Sequence, residues 1–445
     1  MTAKANVIVH QMRAAADRVR ISPISRAGGR VSVPGDKSIS HRYAMLAALA
    51  DGKSAIAGYS PGADCAATLE CLRLLGVGVT SENNRIVIEG RGRNGFAAPD
   101  RPLDARNSGT TMRLLAGILA GQHFTATLSG DQSLQRRPMR RIIEPLTRMG
   151  ATVTSSAGFP PLVIDGAPLH AISHTPEVPS AQVKSCVLLA ALFAEGTTEV
   201  IETAPTRDHT ERALETFGVR VERTVSSIRL DGGQKLSGQS LEVPGDISGA
   251  AFWCALAAGT PSGRVEIENV GLNPTRIALI DLLRRAGAEV STQTEDDVGP
   301  EPRGRMVVSA GEPRSFEISP SEVPAVIDEI PALAALAAMM PPGRAMTVRG
   351  AAELRVKESD RISALAAGFR AMGAAVEEFG DGFTIESRPL HAAEVDAHGD
   401  HRLAMAFAIA ATRANAPVTV LGASSVEVSY PQFFEALHRL TSADG

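Results

Sequence analysis

Six short polar phrases recur along this 445-residue chain, each at the start of a stretch that reads as a helix. They are G-D-K-S at Gly35, R-N-S-G-T-T at Arg106, P-S-A-Q at Pro179, G-D-I-S at Gly245, I-D-E at Ile327 and G-D-H-R at Gly399. Asp, Ser, Asn and Thr are ordinary N-cap residues, and capping alone accounts for Asp246 and Ser248. Lys37, Gln182, Glu329, His401 and Arg402 exceed what a cap requires. A helix start offers free N–H groups and a partial positive charge, which suit phosphate or carboxylate. Basic residues stand beside these starts: Lys37 and Arg42, Arg113, Arg136 and Arg137, Arg207, Lys357 and Arg361, and Arg402. Arginine forks hold such anions bidentately. Asp328, Glu329, Glu358 and Asp360 lie among the cations, where a carboxylate can accept or donate a proton. Together these residues describe a site that binds small anions and moves protons between them.

Other chemistries find less support. G-R-G-R-N-G (Gly90–Gly95) satisfies G-x-G-x-x-G after a strand, yet Pro99 and Pro102 preclude an immediate helix, so no dinucleotide is expected. P-G-D-K-S lacks the order and spacing of a P-loop. Asp208-His209 and Asp400-His401 are single neighbours rather than a metal ligand set, so neither metal nor cofactor is expected. The four cysteines show no paired spacing and read as reduced, buried residues. Forty-five basic against forty-nine acidic residues give a net charge of −4, with no global basic field for nucleic acid or membrane. With no signal-like segment and no apolar run near 20 residues, the expectation is a cytoplasmic protein.

The elements that must position these residues show as repeats. One phrase, a helix end followed by Gly and a β-branched strand start, occurs five times. The copies are Leu74–Val79, Arg148–Val153, Thr216–Val221, Arg285–Val290 and Ala371–Val376. Glycine there supplies a left-handed C-cap. V-S-V-P-G-D-K-S (Val31–Ser38) is echoed 210 positions later by L-E-V-P-G-D-I-S (Leu241–Ser248), each copy leading into an Ala-rich helix. Length alone suggests about three domains at roughly 150 residues each. The repeats instead imply an α/β protein of two halves with three units apiece. The boundaries fall near Val33 and Val243, giving residues 33–242 as one domain and 1–32 with 243–445 as the other. The polar stretch Ser291–Arg305 reads as an exposed hairpin or loop.

Taken in order, V-P-G-D-K-S-I-S-H-R, N-S-G-T-T-M-R, L-Q-R-R-P-M, P-S-A-Q-V-K-S, T-R-D-H-T-E, I-D-E, L-R-V-K-E-S-D-R and D-H-R-L-A-M resemble the 5-enolpyruvylshikimate-3-phosphate synthase family. The likeness runs from about Val31 to about Phe434. It implies two similar domains of three βαβαββ units each, an inside-out α/β barrel arrangement, with hinge crossings near 33 and 243. It also implies transfer of the enolpyruvyl group of phosphoenolpyruvate to the 5-hydroxyl of shikimate-3-phosphate. By the same resemblance Lys37, Ser38, Arg42, Ser180, Ala181, Gln182, Arg207, Asp328 and Lys357 would hold shikimate-3-phosphate. Lys37, Asn107, Gly109, Thr110, Arg137, Gln182, Glu358, Arg361, His401 and Arg402 would hold phosphoenolpyruvate. Asp328, Glu358 and Lys37 would be catalytic, and because that set is complete within one chain a monomer is expected.

Two departures stand out. Val428 occupies a position where many relatives carry Lys, and Ala181 one where Ser is common. Leu114, S-A-Q-V-K, N-P-T-R (Asn273–Arg276) and R-D-H-T-E resemble a divergent, class II-like branch associated with glyphosate tolerance, whereas Gly109 is the residue of sensitive enzymes. The two imply glyphosate as an inhibitor met with intermediate tolerance. Related alternatives are an enolpyruvyl transferase acting on UDP-N-acetylglucosamine, which usually carries a loop Cys missing between Cys71 and Cys186, and an RNA 3′-phosphate cyclase.

Overall fold

The computed structural model describes residues 17–295 and 299–442. One complete unit displays the local logic. Strand Leu103–Asp104 leads into helix Gly109–Ala120 and returns as the parallel strand Thr125–Ser129. Helix Arg140–Arg148 and the antiparallel strands Thr152–Ser156 and Phe159–Asp165 complete a βαβαββ unit. The same order recurs from Ser173 to Asp231 and from Phe316 to Glu386.

Two further units borrow a strand across the repeated V-P-G-D phrase. Gly28–Ser32 precedes the first copy but pairs in parallel with Arg264–Gly271. Ser240–Glu242 precedes the second copy but pairs with Lys53–Ala57. The last sheet is closed by Arg18–Ile21, antiparallel to Val418–Leu421. Gly35 and Gly245 form an antiparallel bridge where the crossings meet.

The first helix of each unit is almost wholly buried, whereas the second, such as Arg140–Arg148, keeps an exposed face, and the sheets lie on the outside. Helix Ile330–Met339 is buried at all ten positions, as expected of a helix apolar on every side. Strand Phe159–Asp165 alternates exposed and buried residues, so one sheet face meets solvent. The buried apolar side chains form two clusters. One runs from Ile39 to Val243; the other combines Ile21–Val33 with Ile247–Leu440. The glycines after the five repeated helix ends all have positive φ, from 85° at Gly76 to 114° at Gly150.

The hairpin expected over Ser291–Arg305 is present as strands Glu289–Thr294 and Arg303–Ser309, with residues 296–298 outside the described residues. Its tip is not wholly exposed. Glu301 is buried, its carboxylate on His209 Nδ1 at 2.7 Å and accepting from Asn273 Nδ2 at 2.9 Å. A polar sequence concealed a contact between the halves.

Candidate active site

Five of the six helix starts are capped by their own side chains. Asp36, Ser108, Ser180, Asp246 and Asp400 accept from backbone amides two or three residues on. Glu329 makes no such bond, because the short helix Val323–Val326 already feeds the chain into Ile330–Met339. Ser248 does not cap either. Its hydroxyl donates to Glu329, and Arg276 donates to Ser248 at 2.8 Å and to Glu329 at 2.9 Å, all of them buried. Glu329, set apart by sequence as more than a cap, is thus part of an internal brace.

Between the halves lies a cavity of about 660 Å³. Lys37, Ser38, Gly109, Thr110, Arg137, Ser180, Ala181, Gln182 and Arg207 line it from one half, and Asp328, Lys357, Glu358 and Arg402 from the other. Asp328 sits in a cage of cations. Arg207 Nη2 is 2.6 Å from Oδ2, and Arg361 Nη1 and Lys357 Nζ are 3.7 and 3.9 Å from Oδ1. Arg402 donates to the Asp328 carbonyl at 2.6 Å. Burial pushes the Asp328 carboxyl up, but Arg207, Lys357, Arg402 and Arg361 together hold it well below the usual carboxylate range.

Glu358 is held in the same way. Its Oε2 pairs with Arg361 at 2.6 Å and its Oε1 with Arg137 at 3.6 Å. Burial raises its carboxyl, and Arg361, Arg137, His401 and Lys37 outweigh that, leaving it well below the ordinary value. Both candidate carboxylates are therefore anions at neutral pH. Lys37 pairs with Asp64 at 3.0 Å; burial lowers the amine's pKa, but Asp64 and Glu358 raise it above the ordinary value.

Gln182 joins two helix starts, accepting from Arg113 at 2.8 Å and donating to Thr110 at 3.0 Å. Burial, and then Arg137, lower the Arg113 guanidinium to about 10. Arg137 donates to Asn107 at 2.8 Å, which places Asn107 beside the cavity rather than on its wall. Arg361 also lies behind the wall, oriented by Asp400 through contacts of 2.7 and 3.2 Å. His401 is buried, and neither ring nitrogen has a hydrogen-bond partner among the described residues. Burial, then Lys37 and Arg402, keep its pKa well below the ordinary value, so the ring is neutral.

Arg42, expected among the residues that hold shikimate-3-phosphate, does not line the cavity. It is buried off the cavity and spends its guanidinium on Thr210 at 2.6 Å, Ser185 at 2.7 Å and the Ser38 carbonyl at 2.8 Å. The carbonyl it meets lies one helical turn back, so its fork faces the neighbouring helices. Asp64, Arg113 and Arg276 were missing from the expected set. Arg113 was visible as a basic residue near a start, whereas Asp64 carried no signal beyond its place in a helix's first turn. Polar contacts also join the two sides: Arg141 Nη1 meets both Glu353 oxygens at 3.1 and 2.9 Å, and Ser133 donates to the Glu358 carbonyl at 3.0 Å. The arrangement can bind small anions, with two anionic carboxylates at the same cavity.

Comparison with known proteins agrees with that chemistry. The family model described as EPSP synthase (3-phosphoshikimate 1-carboxyvinyltransferase) matches residues 21–437. A 3-phosphoshikimate 1-carboxyvinyltransferase of Solibacter usitatus (strain Ellin6076) is 47% identical over 423 residues, covering 95% of this chain and 99% of the relative. One of Bacillus subtilis (strain 168) is 43% identical, covering 93% and 97%. Among solved structures, an EPSP synthase from Acinetobacter baumannii superposes with a TM-score of 0.84 at 42% identity, covering 95% of this chain and 98% of that one. The enolpyruvyl transferase NikO from Streptomyces tendae shares the fold at a TM-score of 0.74 and 16% identity, covering 96% and 98%.

Proposed function

The chain belongs to the EPSP synthase family, whose reaction transfers the enolpyruvyl group of phosphoenolpyruvate to shikimate-3-phosphate with release of phosphate, and from that premise we propose how its own residues perform the transfer. The observation that carries the reading is the pair of desolvated, cation-caged carboxylates, Asp328 and Glu358, facing one cavity.

Asp328, kept anionic by its cage, accepts the proton of the acceptor's 5-hydroxyl as that oxygen bonds to C2 of phosphoenolpyruvate. C3 gains a proton in the same addition. Lys37, kept as an ammonium beside Asp64, supplies it by way of Glu358. In the second step the C–O bond from C2 to phosphate breaks, Asp328 passes its proton to the departing phosphate, and Glu358 takes a proton from the C3 methyl to restore the double bond and returns it to Lys37. Fixed cations around the site stabilise the developing phosphate and carboxylate charge without reorganisation.

Ser38, Ser180, the Ala181 amide, Gln182, Arg207 and Lys357 hold the phosphorylated acceptor. Asn107, Gly109, Thr110, Arg137, Arg361, His401 and Arg402 serve phosphoenolpyruvate, with Asn107, Arg361 and His401 acting from behind the wall. Arg42 steadies the acceptor side through Ser38. Residues 33–242 and 17–32 with 243–442 are the two bodies that close on substrate. Glyphosate, as an anionic competitor of phosphoenolpyruvate, binds at intermediate strength. A monomer is favoured because both bodies of the cavity come from one chain. A cytoplasmic location accords with four buried, unpaired cysteines.

The test is phosphate release from phosphoenolpyruvate with purified protein and one acceptor at a time. Release is expected with shikimate-3-phosphate alone. Release only with UDP-N-acetylglucosamine, or with neither acceptor, would overturn the assignment.

A further inference from the structure

Helix Ala181–Ala191 presents Ala181 and Gln182 to the cavity and, one turn in, a lysine to the interior. Lys184 is 1% exposed, and its Nζ lies 3.0 Å from Glu202 and 2.7 Å from Glu211. Burying a lysine between two carboxylates is a poor way to gain stability, since well-packed apolar residues of similar volume often do as well or better. The position of its partners suggests another role.

Glu202 follows strand Thr197–Ile201, and Glu211 lies in the first turn of helix His209–Thr216. Between them runs the connection that carries Arg207. Glu202 Oε1 also accepts from the Thr206 amide at 3.1 Å and the Thr206 hydroxyl at 2.5 Å, next to Arg207 in the chain. One ammonium therefore ties both ends of the Arg207 connection to the helix that begins at Ser180. A second buried link joins the same two helices, Ser185 Oγ to Thr210 Oγ1 at 2.6 Å, with Arg42 on both hydroxyls.

We propose that Lys184 is a positioning residue that fixes Arg207 against Ser180 and Gln182, so that the acceptor-phosphate wall stays assembled while the halves move. The inference rests on the proposed role of Arg207. Substrate capture would otherwise have to order the connection between Ile201 and His209 at each encounter, and that entropy would appear as weaker acceptor binding.

The experiment compares steady-state kinetics of Lys184→Met, Arg207→Ala and their combination, varying each substrate in turn. Lys184→Met is expected to raise KM for shikimate-3-phosphate about tenfold, a usual size for coupled neighbours. KM for phosphoenolpyruvate should change less than about twofold, and the double variant should be no worse than Arg207→Ala. Because Lys184→Met strands two buried carboxylates, Lys184→Met/Glu202→Gln/Glu211→Gln serves as a second variant without buried charge. The same selective rise there supports positioning. Ordinary KM values in that folded triple variant, or a parallel rise for both substrates in either variant, overturn it. If Arg207→Ala itself leaves the shikimate-3-phosphate KM unchanged, the Arg207 reading fails and the proposal with it. If Arg207→Ala raises KM and Lys184→Met does not, only the proposal fails.

Discussion

The Asp36 amide donates to the Pro244 carbonyl at 2.8 Å, and the Asp246 amide returns the same bond to Pro34, also at 2.8 Å. The two copies of V-P-G-D are thus each other's partners, and the crossing between the halves is a reciprocal pair of hydrogen bonds. Backbones come this close only without side chains. A Cβ on Gly35 would sit 1.7 Å from the Gly58 carbonyl oxygen; one on Gly245 would meet Val33 Cγ2 at 2.7 Å and the Asn269 oxygen at 2.9 Å.

Gly35→Ala should therefore destabilise the protein by about 3 kcal/mol or more, the upper end for overpacking against backbone. Gly245→Ala, whose closest contact is a side chain, should cost roughly 1–2 kcal/mol. Denaturant unfolding orders the two variants. Equal midpoints would show that the crossing tolerates separation.

Asp328→Asn and Glu358→Gln should each lower kcat by about a hundredfold or more, the usual contribution of a positioned acid or base. Both carboxyls are depressed in the folded protein, so they keep their charge as pH falls through the ordinary carboxylate values and lose it only at their lower, folded values. The acid limb of kcat/KM that belongs to them should lie below about pH 4. A limb near pH 6 that disappears in either variant would contradict that assignment.

A methyl at position 109 would lie 2.6 Å from Arg113 Nη1 and 3.3 Å from Arg137 Nη1. Both are far ends of flexible side chains, so Gly109→Ala should fold normally while pushing the cations aside. An increase of about tenfold in KM for phosphoenolpyruvate, or about 1.4 kcal/mol, is expected, with a larger rise in the glyphosate inhibition constant. Unchanged values for both would place the methyl outside the anion's space. Leu114 is fully buried, so any influence it has on tolerance acts through its helix.

Glu301→Gln should loosen the contact between the halves at the hairpin tip and lower stability by about 1–3 kcal/mol. Burial raises this carboxyl, and His209 and Asn273 together pull it below its ordinary value. The stabilisation it adds is therefore present above pH 4.5 and lost as pH falls through the lower, folded value. Thermal unfolding of the native protein should fall more steeply than that of the variant below pH 4.5. Parallel curves would show that Glu301 is not linked to folding.

The repeats, the helix starts and most of the cavity wall were legible because each follows from local rules. Caps recur at helix starts, glycines at helix ends, and a duplicated phrase marks a duplicated half. What was hidden depends on pairing over distance. Nothing near Asp64 announces Lys37, and nothing in T-Q-T-E-D-D-V-G-P-E-P announces that Glu301 will meet His209. Arg42 was placed by motif, yet the direction of its fork depends on Thr210 and Ser185, more than 140 positions away.

The exchange of strands at the crossings sets an order of assembly during synthesis. The half built around Ile39–Val243 has all its strands once Ser240–Glu242 has left the ribosome. The other half cannot close so early. Gly28–Ser32 must wait for Arg264–Gly271, and Arg18–Ile21 must wait for Val418–Leu421, nearly the whole chain later. Until then two early strands have unpaired edges, and contacts of such long sequence separation form slowly. Arg18, Arg20, Arg26 and Arg30 in and between these strands keep that waiting segment charged, a safeguard against pairing with another nascent chain.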